Sequence, residues 1–193
     1  MSALQLLSCL IDRQCAVAQK RCRFLSNLGT LSRMQKKILM VCLGNICRSP
    51  MAEVIFSHLA RQRGLDLKVH SAGTNRYHKG GPADLRAIAE CERRGLDLRS
   101  HVARRVVAED FSQYDVLFSM ARDVTVEIAQ FAPKAELMSK VTPFLVSGQD
   151  VPDPWYGDDS DFSRCFDLLL EASEKRLDEL APAPKMRPER SDP

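Results

Sequence analysis

Apolar residues fall along the chain in a recurring order of short unbroken run, polar loop and amphipathic stretch. Ile38-Leu39-Met40-Val41-Cys42 is a continuous apolar run of strand length, the pattern of a strand buried on both faces. A cap-like Ser49, a Pro50 in the first turn and an early acid at Glu53 then predict a helix reaching about Arg63, stopped by Gly64. Leu67–His70 reads as a second strand, and Ala83–Arg94, ended by Gly95, as a second helix. Val102–Phe111 is expected to be a short third helix, followed by a strand over Tyr114–Met120 and a helix over Asp123–Phe131. Leu137-Met138 marks a fourth strand, Asp150–Asp161 an acidic loop rich in Pro and Gly, and Phe162–Leu180 a closing helix. Strands alternating with helices predict an α/β fold whose parallel sheet has right-handed crossovers and helices on both faces. In such sheets ligands bind beyond the carboxyl ends of the strands, which directs attention to the loop after Cys42.

Composition narrows the class. The 193 residues are 45% hydrophobic and 27% charged, which suits one domain with a sizeable core. No run approaches the eighteen apolar residues of a membrane span. The seven cysteines form no CxxC pair or Cys/His ligand grouping, and an odd number suits reduced thiols better than a disulfide scaffold. Residues 1–37 carry seven Lys/Arg (Arg13, Lys20, Arg21, Arg23, Arg33, Lys36 and Lys37) against Asp12 alone. The formal charge of +3 therefore hides a body near −3, which gives no footprint for nucleic acid. The chain divides into a basic extension over residues 1–36, one domain over 37–180 and a proline-rich tail over 181–193. The extension is Arg- and Ser-rich and acid-poor, like an organelle transit peptide; alternatively Met34 is the natural start. The expected location is cytoplasmic, or an organelle if the extension is a targeting segment.

The loop at that strand end is Cys42-Leu43-Gly44-Asn45-Ile46-Cys47-Arg48-Ser49-Pro50. A Cys and an Arg at this spacing prove little alone, since Cys15 and Arg21 repeat it among helix formers with no turn residue. Around Cys42 the context differs. A buried strand ends on it, Gly44 and Asn45 tolerate positive φ, and a helix begins just beyond. Such a loop turns successive N–H groups inward as an anion nest, and the helix end adds partial positive charge. That field is expected to lower the Cys42 thiol pKa from about 8.5 into the range of roughly 3.5 to 7.5. Arg48 supplies a planar fork for two oxygens of a phosphoryl group, and Ser49 a donor to the sulfur. A departing oxygen also needs a proton. Asp153, in Val151-Pro152-Asp153-Pro154-Trp155-Tyr156-Gly157, is the best candidate acid, with Trp155 and Tyr156 walling a slot for an aromatic ring. By itself that segment also reads as a simple turn.

Taken together with Ser71-Ala72-Gly73-Thr74 and Ser100-His101-Val102-Ala103-Arg104, these motifs resemble the low-molecular-weight protein tyrosine phosphatases over about residues 37–180. The resemblance implies a three-layer, flavodoxin-like fold with a four-stranded parallel sheet. It implies hydrolysis of phosphotyrosine and small aryl phosphates through a cysteinyl-phosphate, without metal or other cofactor. Cys42 matches the nucleophile, Arg48 the phosphate binder and Asp153 the acid and base. The implied substrate contacts are Leu43, Gly44, Asn45, Ile46, Cys47 and Ser49 in the phosphate loop, with Tyr77, Trp155 and Tyr156 at the aromatic rim. Asn45 matches a left-handed residue held by partners matching Ser71 and His101, and Cys47 one able to form a reversible disulfide with the nucleophile. Asp84 matches a residue of the supporting structure. His78 reads as a solvated loop residue, or else as one that tunes leaving-group preference, and Cys91 and Cys165 as helix packing. The implied partner is a phosphotyrosine protein, the chain being a monomer or weakly self-associating and binding neither nucleic acid nor membrane.

Other readings share parts of this pattern. A protein-arginine phosphatase tends to carry Thr where this chain has Ile46. A thioredoxin-coupled arsenate reductase needs two further cysteines near the site, and after Cys91 there is only Cys165. A phosphate-binding module without turnover needs neither a thiolate nor a general acid.

Overall fold

A computed structural model of the chain describes residues 35–180, so the basic extension, apart from Gln35 and Lys36, and the tail expected over 181–193 lie outside the described residues. Four parallel strands, β1 (Lys36–Cys42), β2 (Leu67–Gly73), β3 (Val116–Ser119) and β4 (Val141–Pro143), pair in the order β2-β1-β3-β4. Around them run α1 (Arg48–Gln62), α2 (Leu85–Arg93), α3 (Asp110–Gln113), α4 (Arg122–Ala129) and α5 (Asp159–Leu180).

The central strand shows why the run 38–42 is apolar throughout. Ile38, Met40 and Cys42 point to one face, where Ile55 and Phe56 of α1, Ala87 and Cys91 of α2, and Phe162, Phe166 and Leu169 of α5 cover them. Leu39 and Val41 point to the other, packing with Phe111 of α3 and with Val124 and Ile128 of α4. A strand whose alternate residues enter two separate cores has no polar face to present. Because β2 lies on one side of β1 and β3 on the other, the chain reverses its direction of progress at β1. The loop leaving Cys42 therefore sits at a topological switch point.

Three expectations need correction. The helix expected over Val102–Phe111 is confined to Asp110–Gln113. Before it the chain is bonded to its surroundings: Gly73 N–H donates to the Arg104 carbonyl, Val106 N–H to the Gly73 carbonyl, and Ala103 N–H to the Gly81 carbonyl. Ala103 enters one core and Val106 the other, which a single helix face would not achieve. Leu137-Met138 is not a strand but part of a 3₁₀ turn over Ala135–Lys140, and the fourth strand follows it, with Val141 paired to Leu117. The acidic loop is shorter than expected, because Pro154–Tyr156 forms a 3₁₀ turn and α5 begins at Asp159.

Candidate active site

The loop between β1 and α1 is fixed by a residue held in an unusual conformation. Asn45 has φ of 58°, the one positive value outside glycine among the described residues, and it is fully buried. Its side chain explains the strain. Asn45 Oδ1 accepts the Arg104 backbone N–H at 2.9 Å, a group that can only donate, and this fixes the amide's orientation. The two protons on Nδ2 then go to Ser49 Oγ and Ser71 Oγ, both at 2.9 Å. His101 Nε2 donates to the Asn45 carbonyl at 2.8 Å, so the proton of the neutral ring resides on Nε2. Ser71 and His101 thus both bond to Asn45, one at its side chain and one at its carbonyl.

Because Ser49 Oγ accepts from Asn45, its own proton is free for Cys42 Sγ, 3.0 Å away; the Ala72 carbonyl is a longer alternative at 3.3 Å. Asn45 N–H also donates to Cys42 Sγ, at 3.2 Å. Two donors, one from the loop and one from the first turn of α1, therefore converge on the sulfur. On the other side of the chain of bonds, Ser71 donates to Glu53 Oε2 at 2.6 Å. The sequence marked Glu53 only as an early acid of the helix and not as part of the site; its position one helical turn beyond Ser49 was the available signal. Burial raises the Glu53 carboxyl above its usual range, opposed by the Ser71 hydroxyl and by Arg104. Burial likewise lowers His101, opposed by its bond to Asn45, which keeps the ring neutral near pH 7.

Close packing completes the loop. A Cβ on Gly73 would lie 2.7 Å from the Leu43 carbonyl oxygen and 3.0 Å from the Asn45 nitrogen, so the end of β2 can press against the loop only as glycine.

Arg48, nearly buried at the start of α1, reaches away from its helix. Its Nη1 donates to the Val151 carbonyl at 3.2 Å and its Nη2 to Asp153 Oδ2 at 2.6 Å. Asp153 Oδ1 accepts the Trp155 N–H at 3.2 Å, capping the 3₁₀ turn. The turn reading of this segment and the acid reading therefore describe the same residue. Arg86, also missed from the sequence, clamps the segment from α2. Its Nη1 donates to the Gly157 carbonyl at 2.8 Å, its Nη2 to the Trp155 carbonyl at 3.2 Å, and its Nε to Asp84 Oδ1 at 3.0 Å. Burial acts to raise the Asp84 carboxyl, but the bonds from Arg86 outweigh it and hold it below its usual value.

These elements enclose a cavity of about 270 Å³. Cys42, Leu43, Gly44, Cys47 and Arg48 form its floor, and Ile46 and Asp153 line its sides. Tyr77, Trp155 and Tyr156 line it too, with both tyrosines about nine-tenths exposed at the mouth. Asn75 and His78 line it as well, and the His78 ring lies 5.4 Å from that of Trp155, so His78 is not simply a solvated loop residue. Asn45 and Ser49, grouped above with the substrate contacts, do not line the cavity: both are fully buried behind the loop, where their side chains brace it. Cys42, Cys47, Cys91 and Cys165 are all free thiols. Burial, with the Asp84 carboxylate beside it, pushes the Cys47 thiol well up, and burial pushes Cys91 and Cys165 up to about 12. The last two pack inside helices, as expected.

Residues 37–185 match the family model described as low molecular weight phosphotyrosine protein phosphatase. A protein named low molecular weight phosphotyrosine protein phosphatase from Dictyostelium discoideum is 35% identical, over 77% of this chain and 96% of its own length. A crystal structure of a protein tyrosine phosphatase from Entamoeba histolytica, with Hepes in the active site, superposes with a TM-score of 0.71 at 35% identity, covering 76% of this chain and 97% of that one. Vibrio vulnificus Wzb in complex with benzylphosphonate superposes at 0.69 with 30% identity, over 75% of this chain and 99% of its own.

Proposed function

The chain belongs to the low molecular weight phosphotyrosine protein phosphatase family, and we propose that its site hydrolyses phosphotyrosine and small aryl phosphates through a cysteinyl-phosphate. The observation that carries this reading is the convergence of the Ser49 hydroxyl and the Asn45 N–H on Cys42 Sγ, on the floor of a cavity that Arg48 and Asp153 also line.

In the first step Cys42 Sγ attacks phosphorus, forming the S–P bond as the P–O bond to the aryl group breaks. The Arg48 fork holds two of the phosphoryl oxygens and balances their charge. Asp153, exchanging its contact with Arg48 for the leaving oxygen, gives its proton to the phenolate. In the second step the Asp153 carboxylate takes a proton from water, the water oxygen attacks phosphorus, and the S–P bond breaks. Ser49 donates to the departing sulfur. Inorganic phosphate leaves, and Asp153 is again protonated.

The cavity supports an aromatic substrate. Trp155, Tyr77 and Tyr156 surround its mouth, and Ile46 gives its wall a hydrocarbon side chain where a phosphoarginine site would gain from a hydroxyl. The Vibrio relative's structure holds benzylphosphonate, a phosphonate that carries an aromatic ring one methylene from phosphorus. Every residue named here lies within the matched residues 37–185, which supports a phosphatase domain over about 37–180 that acts on phosphorylated proteins. A Cys42 that must be reduced to attack, close to a second buried thiol, supports work in a reducing compartment such as the cytoplasm. Among the described residues no helix is long and apolar enough to cross a membrane.

The test is hydrolysis of p-nitrophenyl phosphate and a phosphotyrosine peptide, without added metal, by the intact chain and by Cys42→Ser. Turnover of both by the intact chain and neither by the variant is expected. Faster turnover of a phosphoarginine peptide than of the phosphotyrosine peptide would replace the reading.

A further inference from the structure

Beside the catalytic cavity lies a second, shallower hollow of about 420 Å³. The two share Ile46, Tyr77, His78 and Trp155, so one wall of the catalytic mouth is also the near wall of the neighbour. Beyond that wall the hollow is bounded by Pro82, Ala83 and Leu85. Leu85, the first residue of α2, leaves 79% of its surface exposed. A single exposed leucine is ordinary. What sets this one apart is its place in a hollow that shares a wall with the catalytic cavity.

The polar groups of the hollow favour an uncharged guest. The Asp84 carboxylate accepts from the Arg86 backbone N–H at 2.8 Å, from Arg86 Nε at 3.0 Å and from Nη2 at 3.0 Å. It is thereby satisfied by its own helix and is a poor partner for an incoming cation. Lys79 also lines the hollow, and a side chain of its kind can lay its methylenes along an apolar surface while its ammonium stays in water.

We propose that this hollow is a second substrate subsite, which takes an aliphatic side chain flanking the phosphotyrosine in the same peptide, with Leu85 as its specificity-determining residue. The inference rests on the phosphotyrosine reading above. With the phosphorylated ring held between the aromatic residues of the mouth, the peptide backbone crosses the wall of Tyr77 and Trp155. An extended chain advances about 3.3 Å per residue, so a side chain one to three positions away falls beyond that wall.

The test uses the intact chain and Leu85→Gln, which keeps a helix former behind the Asp84 cap. The substrates are p-nitrophenyl phosphate, free phosphotyrosine, and phosphotyrosine peptides bearing either Leu or Ser at each position up to three residues on either side. The expected result is one position at which Leu raises kcat/KM at least fivefold over Ser. In Leu85→Gln that preference falls below twofold, while p-nitrophenyl phosphate turnover stays within twofold of the parent. No preference at any position, or a preference that survives in Leu85→Gln, would overturn the subsite. Failure of the intact chain to hydrolyse free phosphotyrosine would overturn the parent reading and the subsite with it.

Discussion

Arg48 Nη2 lies 2.6 Å from Asp153 Oδ2, joining the phosphate loop to the segment that carries the candidate acid. The carboxylate is about one-third exposed while the guanidinium is almost wholly buried, so the mobile partner of the pair is the acid. Asp153→Ala is expected to lower kcat by about 10²- to 10⁴-fold on aryl phosphates with poor leaving groups. On p-nitrophenyl phosphate, whose leaving group needs less protonation, the loss is expected to be smaller. A loss independent of leaving-group pKa, measured over a series of substituted phenyl phosphates, would remove Asp153 from the acid role.

Arg48→Lys should be far from conservative. Lysine keeps the charge but not the fork that spans the Val151 carbonyl and Asp153. Its kcat is expected to fall by about 10²-fold or more, the scale for losing a donor aimed at transition-state charge. Inorganic phosphate inhibition should weaken in parallel. Wild-type kcat in this variant would contradict the proposed clamp.

Arg86 acts at one remove from the chemistry, through the carbonyls of Trp155 and Gly157. Arg86→Ala removes bonds contributing about 0.5 to 1.5 kcal/mol each and loosens the Asp153 segment. Turnover should fall about tenfold on poor leaving groups and less on p-nitrophenyl phosphate, reproducing the leaving-group dependence of Asp153→Ala in weaker form. A purely structural role would instead lower all substrates equally.

Selective alkylation should distinguish the thiols. Cys42 opens onto the cavity, whereas burial holds Cys47, Cys91 and Cys165 protonated. Iodoacetamide at neutral pH should therefore modify Cys42 first among the four, and inorganic phosphate should slow the reaction. Peptide mapping by mass spectrometry reads the outcome; equal labelling of Cys47 would contradict it.

Stability should decline on mild acidification. Burial lowers both His70, with Arg104 and Lys68 adding to the shift, and His101. Below about pH 6.5 the unfolded chain binds protons that these folded rings refuse, so stability falls as pH drops through that window. Glu53 acts with the opposite sign: its raised carboxyl makes the folded state bind the extra proton just above about pH 4.5, which offsets part of the loss. Urea unfolding against pH should show the decline, and His101→Gln should reduce its slope. An unchanged slope in that variant would exclude His101 as a contributor.

The parts of the fold and site legible in the sequence were those written within a few neighbouring residues. The apolar run ending on Cys42, the glycine and asparagine after it and the Ser49-Pro50 helix start placed the loop correctly at the sheet's carboxyl edge. What escaped depends on distant contacts. The 102–109 stretch reads as helix by composition but bonds to Gly73 and Gly81. Arg86 shows its role only once α2 lies against the Asp153 segment, and Glu53 only once Ser71 on β2 is beside it. Asn45 was legible as a loop residue and Ser49 as a helix-start donor to the sulfur, but nothing in their spacing revealed that both are fully buried and bonded to each other.

The central claim is that phosphorus passes through Cys42. Asp153→Ala with p-nitrophenyl phosphate offers the most direct view, because the good leaving group lets the first step proceed while the second lacks its base. Acid quenching during turnover, followed by mass spectrometry of the peptides, should find a phosphoryl group on the peptide carrying Cys42. It should be absent when Cys42 is also replaced by Ser. Turnover without any phosphorylated Cys42 peptide, or phosphate trapped on another residue, would contradict the account.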